Sequence, residues 1–254
     1  MRSANRPVSL GSARGRMSSP GRLSDGVFAS RTKWAALASL LVAAIIAAAL
    51  ILISVQPPAP LAHYVLAGYR APGCVRTVVF RDESGSMVQF ASARADALKD
   101  LVKWSKQPHT LRSTDELAII DFAGKGKVAE STKTVSKLRT AIPAAKSVDS
   151  SNTSFSAGIL AMRSLPATKC RTSVIALSDG EIAPLTAAAR TELAHAGVSN
   201  VALVLPTVMP VPAVWANAFP YGISVEAPAG NSSKTATAVA TALAASMGQR
   251  MVAR

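Results

Sequence analysis

The chain has 254 residues, 49% of them hydrophobic and 17% charged, which excludes a wholly disordered or collagen-like protein. Lys and Arg number 28 against 14 Asp and Glu, a formal charge of +14, and the excess is unevenly placed. Any tail or membrane segment must be subtracted before the core is counted, and here both are expected.

Residues 1–33 carry Arg2, Arg6, Arg14, Arg16, Arg22, Arg31 and Lys33 against Asp25 alone, among Ser, Gly and Pro and with no apolar period. This predicts a disordered basic tail. With no aromatic residue but Phe28 to stack on bases, nucleic acid is not expected as a partner. The run Trp34–Val55 is almost purely apolar, and its about 22 residues reach roughly 33 Å as a helix, enough to span a bilayer. Pro57, Pro58 and Pro60 stop it, and Pro60-Leu61-Ala62 is a poor cleavage site, so the run is read as an uncleaved anchor. The basic flank places residues 1–33 in the cytoplasm and the C-terminal part outside, in a bacterial cell envelope. A linker over 56–73 then leads to one folded domain over 74–254.

Within that domain, Val75–Phe80 predicts a strand, and apolar residues from Met87 to about Lys106 recur at helical spacing through Phe90, Ala91, Ala95, Leu98, Leu101 and Val102. Glu116–Phe122 is a second strand, with a turn at Gly124-Lys125-Gly126 and an edge-like strand over Lys127–Ser131. A short helix is expected around Ser136–Ile142, stopped by Pro143, and another from near Ser154, stopped by Pro166. Arg171–Leu177 is the fourth strand, Pro184–His195 a helix, Asn200–Leu205 and Gly222–Glu226 the fifth and sixth strands, and Lys234–Arg250 a closing helix. Alternating strands and helices predict an α/β fold, a doubly wound, mainly parallel sheet with helices on both faces. In such sheets chemistry gathers at the carboxyl ends of the strands where strand order reverses.

Polar residues stand at those places. Asp82-Glu83-Ser84-Gly85-Ser86 follows the first strand and offers a carboxylate and two hydroxyls to a small hard cation; equally, Asp82 and Ser84 could cap the following helix. Ser178-Asp179-Gly180 follows the fourth strand, and Thr153 lies in a polar loop before the helix containing Ala157, Gly158 and Ile159.

Taken together and in this order, these elements resemble the metal-ion-dependent adhesion site of the von Willebrand factor type A family. Asp82, Ser84 and Ser86 match its D-x-S-x-S element, Thr153 its loop threonine and Asp179 its strand-end aspartate, over about residues 74–250. The resemblance implies a divalent cation, Mg²⁺ with Mn²⁺ or Ca²⁺ as substitutes, held by Ser84, Ser86 and Thr153, with Asp82 and Asp179 acting largely through hydrogen bonds and charge. It also implies a protein ligand that offers an acidic side chain to the ion. Glu83 departs from the pattern: solvated it is neutral to the site, whereas turned inward it would add a charged ligand and favour Ca²⁺. Ser150-Ser151-Asn152 stands where many members have a Gly pair.

In the family fold the first and fourth strands are adjacent, which would bring Cys74 and Cys170 together at their amino ends as a disulfide, opposite the metal site. An enzyme using Asp82 as nucleophile in Mg²⁺-dependent hydrolysis or phosphoryl transfer is the alternative of another class, but it lacks a companion base and a phosphate-gripping loop. His63, His109 and His195 all lie away from the predicted site. A metal-independent structural module of a membrane complex is the third reading. The expectation is therefore a membrane-anchored binding module and not an enzyme.

Overall fold

Runs rich in β-branched residues build the sheet, and their period-two alternation decides which face each side chain covers. The strands are β1 (Tyr64–Ala67), β2 (Val75–Asp82), β3 (Glu116–Phe122), β4 (Gly126–Thr134), β5 (Arg171–Leu177), β6 (Val198–Leu205), β7 (Ile223–Glu226) and β8 (Arg250–Ala253). The helices are α1 (Ala91–Ser105), α2 (Phe155–Met162), α3 (Ala187–His195), α4 (Ala213–Ala218) and α5 (Ser232–Ser246). These come from a computed structural model that describes residues 60–254 except 147, 183–184, 207–209 and 229. The expected basic tail over 1–33 and apolar span over 34–55 lie outside the described residues. Among the described residues no helix is long and apolar enough to cross a membrane.

Six strands form one sheet in the order β4-β3-β2-β5-β6-β7, with only β4 antiparallel to its neighbour. β2 is central and buried along its whole length. Val79, Ile119, Ile175 and Val204 share a core with Leu98 and Leu101 of α1 and Val239 and Leu243 of α5. Val78, Phe80, Ile120, Val174 and Leu203 share a second core with Phe155 and Ile159 of α2, Leu193 of α3 and Trp215 of α4. Strand order reverses at β2, whose neighbours are β3 on one side and β5 on the other, so the crevice favoured for ligands opens where β2 and β5 end. Gly158 lets α2 lie close on the sheet, since a Cβ there would stand 2.9 Å from the Phe80 ring.

At the amino ends of β2 and β5 the expected disulfide joins Cys74 to Cys170, with a Cα–Cα distance of 4.7 Å. The register pairs Val75 with Arg171, which sets the two cysteines side by side. Nearby, Asp115 takes the Arg70 guanidinium and the backbone N–H groups of Val75 (3.0 Å) and Arg112 (2.7 Å).

Several elements differ from the sequence expectation. The predicted linker over 56–73 contains a 3-10 turn, Leu61–His63, and β1, which pairs antiparallel with β8. Leu66 and Met251 of this ribbon pack on the first core, and Trp104 Nε1 donates to the Tyr64 carbonyl at 2.8 Å. A four-residue strand pairing across nearly the whole described domain leaves no local signal. The helix expected around Ser136–Ile142 is only a 3-10 turn over Val135–Lys137: Val135 and Leu138 bury at the i, i+3 spacing of one turn, and Leu138 is already extended. The helix predicted from Met87 starts as a 3-10 turn over Gly85–Phe90, with α1 beginning at Ala91. Its buried face contains Arg94, Ala97, Leu98 and Leu101, while Ala91 and Ala95 are exposed. The closing helix ends at Ser246, and Gly248, at φ +74°, turns the chain into β8.

Candidate metal site

Asp82 ends β2 and is fully buried. Its two oxygens are filled from different directions: Oδ1 accepts the Ser84 N–H at 2.9 Å, and Oδ2 accepts the Ser178 hydroxyl at 2.6 Å. Ser178 accepts the Gly180 N–H at 3.0 Å, so the turn after β5 is tied to the end of β2. Burial pushes the Asp82 carboxyl above its ordinary range; its bonds to Ser178 and Ser84 oppose this, and the nearby Asp179 adds to it.

The Ser84 hydroxyl lies 3.3 Å from that of Ser86, which donates to Asp179 Oδ2 at 2.6 Å. Ser84 is buried, whereas Ser86 is exposed and Asp179 half-buried, so the cluster runs from the protein interior to the surface. The alternative in which Ser84 caps the following helix does not hold, since its side chain makes no capping bond. A second loop closes on the first: the Gly85 N–H donates to the Ser150 carbonyl at 3.1 Å, and the Gly124 N–H to the Asp149 carbonyl at 2.7 Å. Asp149 is held in its charged form, its carboxyl lowered by the hydroxyl and N–H of Ser151. The polar Ser150-Ser151-Asn152 segment thus supplies its own turn without the Gly pair. Thr153 is half-buried with its N–H on Asn152 Oδ1 at 2.8 Å, and Ser154 caps α2 through the Ala157 N–H.

Asp82, Ser84, Ser86 and Asp179 therefore form one hydrogen-bonded set. Thr153 belongs to the adjoining loop and shares no hydrogen bond with that set among the described residues. Ser178 also belongs to the site, although the sequence pattern gives it no ligand role; its place directly before Asp179 at the end of β5 is the signal that points to it. His63 closes a 3-10 turn and His195 ends α3, neither of them in this cluster.

Glu83 is neither solvated nor turned toward the cluster. Alternation along the extended chain sends it to the opposite face, where Oε1 lies 3.2 Å from Arg94 Nη2 and 3.3 Å from Arg81 Nε. Burial raises the Glu83 carboxyl, and the two guanidinium groups counter that rise. Arg81 forks onto Asp121 at 2.6 and 3.0 Å.

The donor set suits a hard cation. Oxygens bound to Mg²⁺ at about 2.1 Å in an octahedron stand about 3 Å apart, and the hydroxyls of Ser84 and Ser86, at 3.3 Å, lie close to that separation. Neither Asp82 nor Asp179 forms a salt bridge among the described residues, although the buried Arg94 guanidinium feels the Asp82 charge. No three His, Cys, Asp or Glu side chains gather around one point among the described residues, so an ion here would depend on hydroxyl and water oxygens.

No protein-family model and no curated protein matches the chain. Among solved structures, proximal thread matrix protein 1 from the mussel byssus is 17% identical, with a TM-score of 0.51, over 75% of this chain and 50% of that one. The present chain thus spans about half the length of the mussel protein, which has also been solved with zinc in its adhesion-site motif. BatB from Bacteroides thetaiotaomicron is 17% identical over 67% of this chain and 98% of that one, with a TM-score of 0.45. A von Willebrand factor type A protein from Catenulispora acidiphila is 14% identical over 76% of this chain and 52% of that one, at 0.49. Identities this low speak to fold alone, and the likeness to the mussel protein supports a shared fold for the described domain.

Proposed function

We propose that this domain is a binding module that captures an acidic side chain of a protein partner through a divalent cation. Ser84, Ser86 and Thr153 would hold the ion directly or through water, with Asp82 and Asp179 balancing its charge. Mg²⁺ suits this set because it keeps several waters and needs few protein carboxylates; Mn²⁺ and Ca²⁺ are its substitutes. When bound, the ion supplies a coordination position to an outside carboxylate.

The observation that carries this reading is the convergence of four oxygen-bearing side chains at the strand-order reversal, with neither carboxylate in a salt bridge among the described residues. The mussel protein, whose fold this domain shares, accommodates zinc at such a motif. An anchored, extracytoplasmic placement in a bacterial envelope is part of the proposal. The Cys74–Cys170 disulfide supports it, since disulfides persist in oxidising compartments. Binding is favoured over catalysis because Asp82, the candidate nucleophile, is fully buried and already accepts two hydrogen bonds.

The test is thermal unfolding of the purified chain in Mg²⁺, Mn²⁺ or chelator, beside Asp82→Ala. An ion at a hundred times its dissociation constant stabilises by about 2.7 kcal/mol, a rise in midpoint of roughly 5–10 °C for a unit of this size. That rise should vanish in Asp82→Ala. Equal midpoints in ion and chelator would contradict the metal reading and favour a structural module, and metal-dependent turnover of a phosphate ester would favour the enzyme.

A further inference from the structure

Arg94 is out of place by composition. It sits in the first turn of α1, on the face that buries Ala97, Leu98 and Leu101, and is only 2% exposed. Its guanidinium nitrogens, like Glu83 Oε1, make no hydrogen bond among the described residues; its nearest counter-charge is Glu83, an ion pair at 3.2 Å, with Asp82 and Asp121 acting on it from farther off. A methionine or leucine would fill this position without the cost of desolvating a cation, so stability alone does not explain an arginine here.

Glu83 is the residue between Asp82 and Ser84. Its N–H extends the ladder between β2 and β3 by bonding the Phe122 carbonyl at 2.9 Å, and its side chain is held by Arg94 and Arg81. Arg81 is itself immobilised on Asp121, its register partner on β3, and on the Pro143 carbonyl at 3.2 Å. The segment carrying the candidate ligands is thus gripped from behind at its middle residue, while Asp82 and Ser84 on either side point to the cluster.

We propose that Arg94 is a positioning residue for the metal site: by holding Glu83 on the far side of the loop, it fixes the directions in which Asp82 and Ser84 present their oxygens. The role rests on the metal reading above and adds to it a residue that makes no contact with the ion. It is separable from plain electrostatics, because the two ideas differ in sign. If Arg94 and Glu83 acted only as charges, Arg94→Met would tighten cation binding and Glu83→Gln would weaken it. As a tether, either loss weakens binding, and losing both costs no more than losing one.

The test is Mn²⁺ titration calorimetry of the full chain, with thermal midpoints in chelator measured alongside. Arg94→Met and Glu83→Gln are each expected to weaken Mn²⁺ binding about tenfold, and the double variant to lose no more than the weaker single one. The double variant should keep or exceed the wild-type midpoint, a split between affinity and stability that a merely structural role would not produce. Hydrogen exchange in the metal-free chain adds a readout independent of the ion: the amides of Glu83 to Ser86 should exchange at least several-fold faster in Arg94→Met, with the amides of β5 unchanged. Tighter binding in Arg94→Met, binding unchanged within twofold, or additive losses would overturn the positioning role while leaving the metal site standing. Absence of Mn²⁺ binding by the unaltered chain would overturn the metal reading and the positioning role with it.

Discussion

The two ends of the central sheet treat their polar groups in opposite ways. At the amino end Asp115 is closed off by the Arg70 guanidinium and two backbone N–H groups, Arg76 donates to Thr172 Oγ1 at 3.1 Å and the Pro166 carbonyl at 2.8 Å, and a disulfide joins neighbouring strands. At the carboxyl end Asp82 and Asp179 receive only hydroxyl and backbone donors, and the hydroxyls of Ser84 and Ser86 lie beside them. One end satisfies its charges internally and holds the fold together. The other pairs Asp121 and Glu83 with Arg81 and Arg94 but leaves Asp82 and Asp179 without an ion pair, a cost to the fold that the proposed cation would offset.

Removing the disulfide should have the largest effect. Its cysteines are separated by 96 positions, and opening so long a loop costs about 4–5 kcal/mol in the chain-entropy model, roughly 10–20 °C in midpoint. Cys74→Ala/Cys170→Ala should therefore lower the midpoint steeply while Mn²⁺ affinity, measured below the new transition, stays within about twofold. A parallel collapse of affinity would erase the distinction between the ends.

Asp115→Ala comes next. It leaves the buried Arg70 without its partner and frees two N–H groups, a loss on the order of 3 kcal/mol read by urea unfolding, again with metal binding intact.

Asp82→Asn should behave in the opposite way, holding or raising the midpoint in chelator by a few degrees while abolishing the metal-dependent rise. Asparagine is isosteric and can keep partners in Ser84 and Ser178. The sign follows from linkage: because the folded carboxyl titrates above its unfolded value near 3.8, its ionisation destabilises the metal-free fold as pH rises from that value through the raised one. The advantage of Asp82→Asn over the unaltered chain in chelator should shrink on going from pH 7 toward pH 4. A variant clearly less stable in chelator at pH 7 would contradict the idea that this end is loaded.

The smallest effect on stability belongs to Thr153→Ala, which should stay within about 1 kcal/mol because the side chain is half-buried, yet weaken Mn²⁺ binding about tenfold. Unchanged affinity there would remove the threonine from the ligand set.

Much of this contrast is legible in sequence. β3 and β5 have the bounds that their β-branched runs predict, and the residues that follow β2 and β5 announce the cluster through residue type and spacing. The ribbon of β1 and β8 is not legible, because its two four-residue strands pair across nearly the whole length of the described domain and carry no local period. Arg94 escapes for a different reason: helical spacing is counted in apolar residues, and a buried arginine looks like part of the solvated face until its partner is seen. Glu83 likewise reads as a surface acid, although alternation after β2 directs it inward to Arg94 and Arg81. Ser178 stands beside Asp179 in the sequence, but only the register of β2 with β5 shows that its hydroxyl closes on Asp82.

The most direct measurement is a paramagnetic-resonance titration of Mn²⁺ into the purified chain, beside Asp82→Ala and Asp179→Ala. One bound Mn²⁺ per chain, lost in both variants and displaced by excess Mg²⁺, is the predicted result. Free-ion signal throughout the titration, or binding that survives both substitutions, would contradict a cation site at the carboxyl end of the sheet.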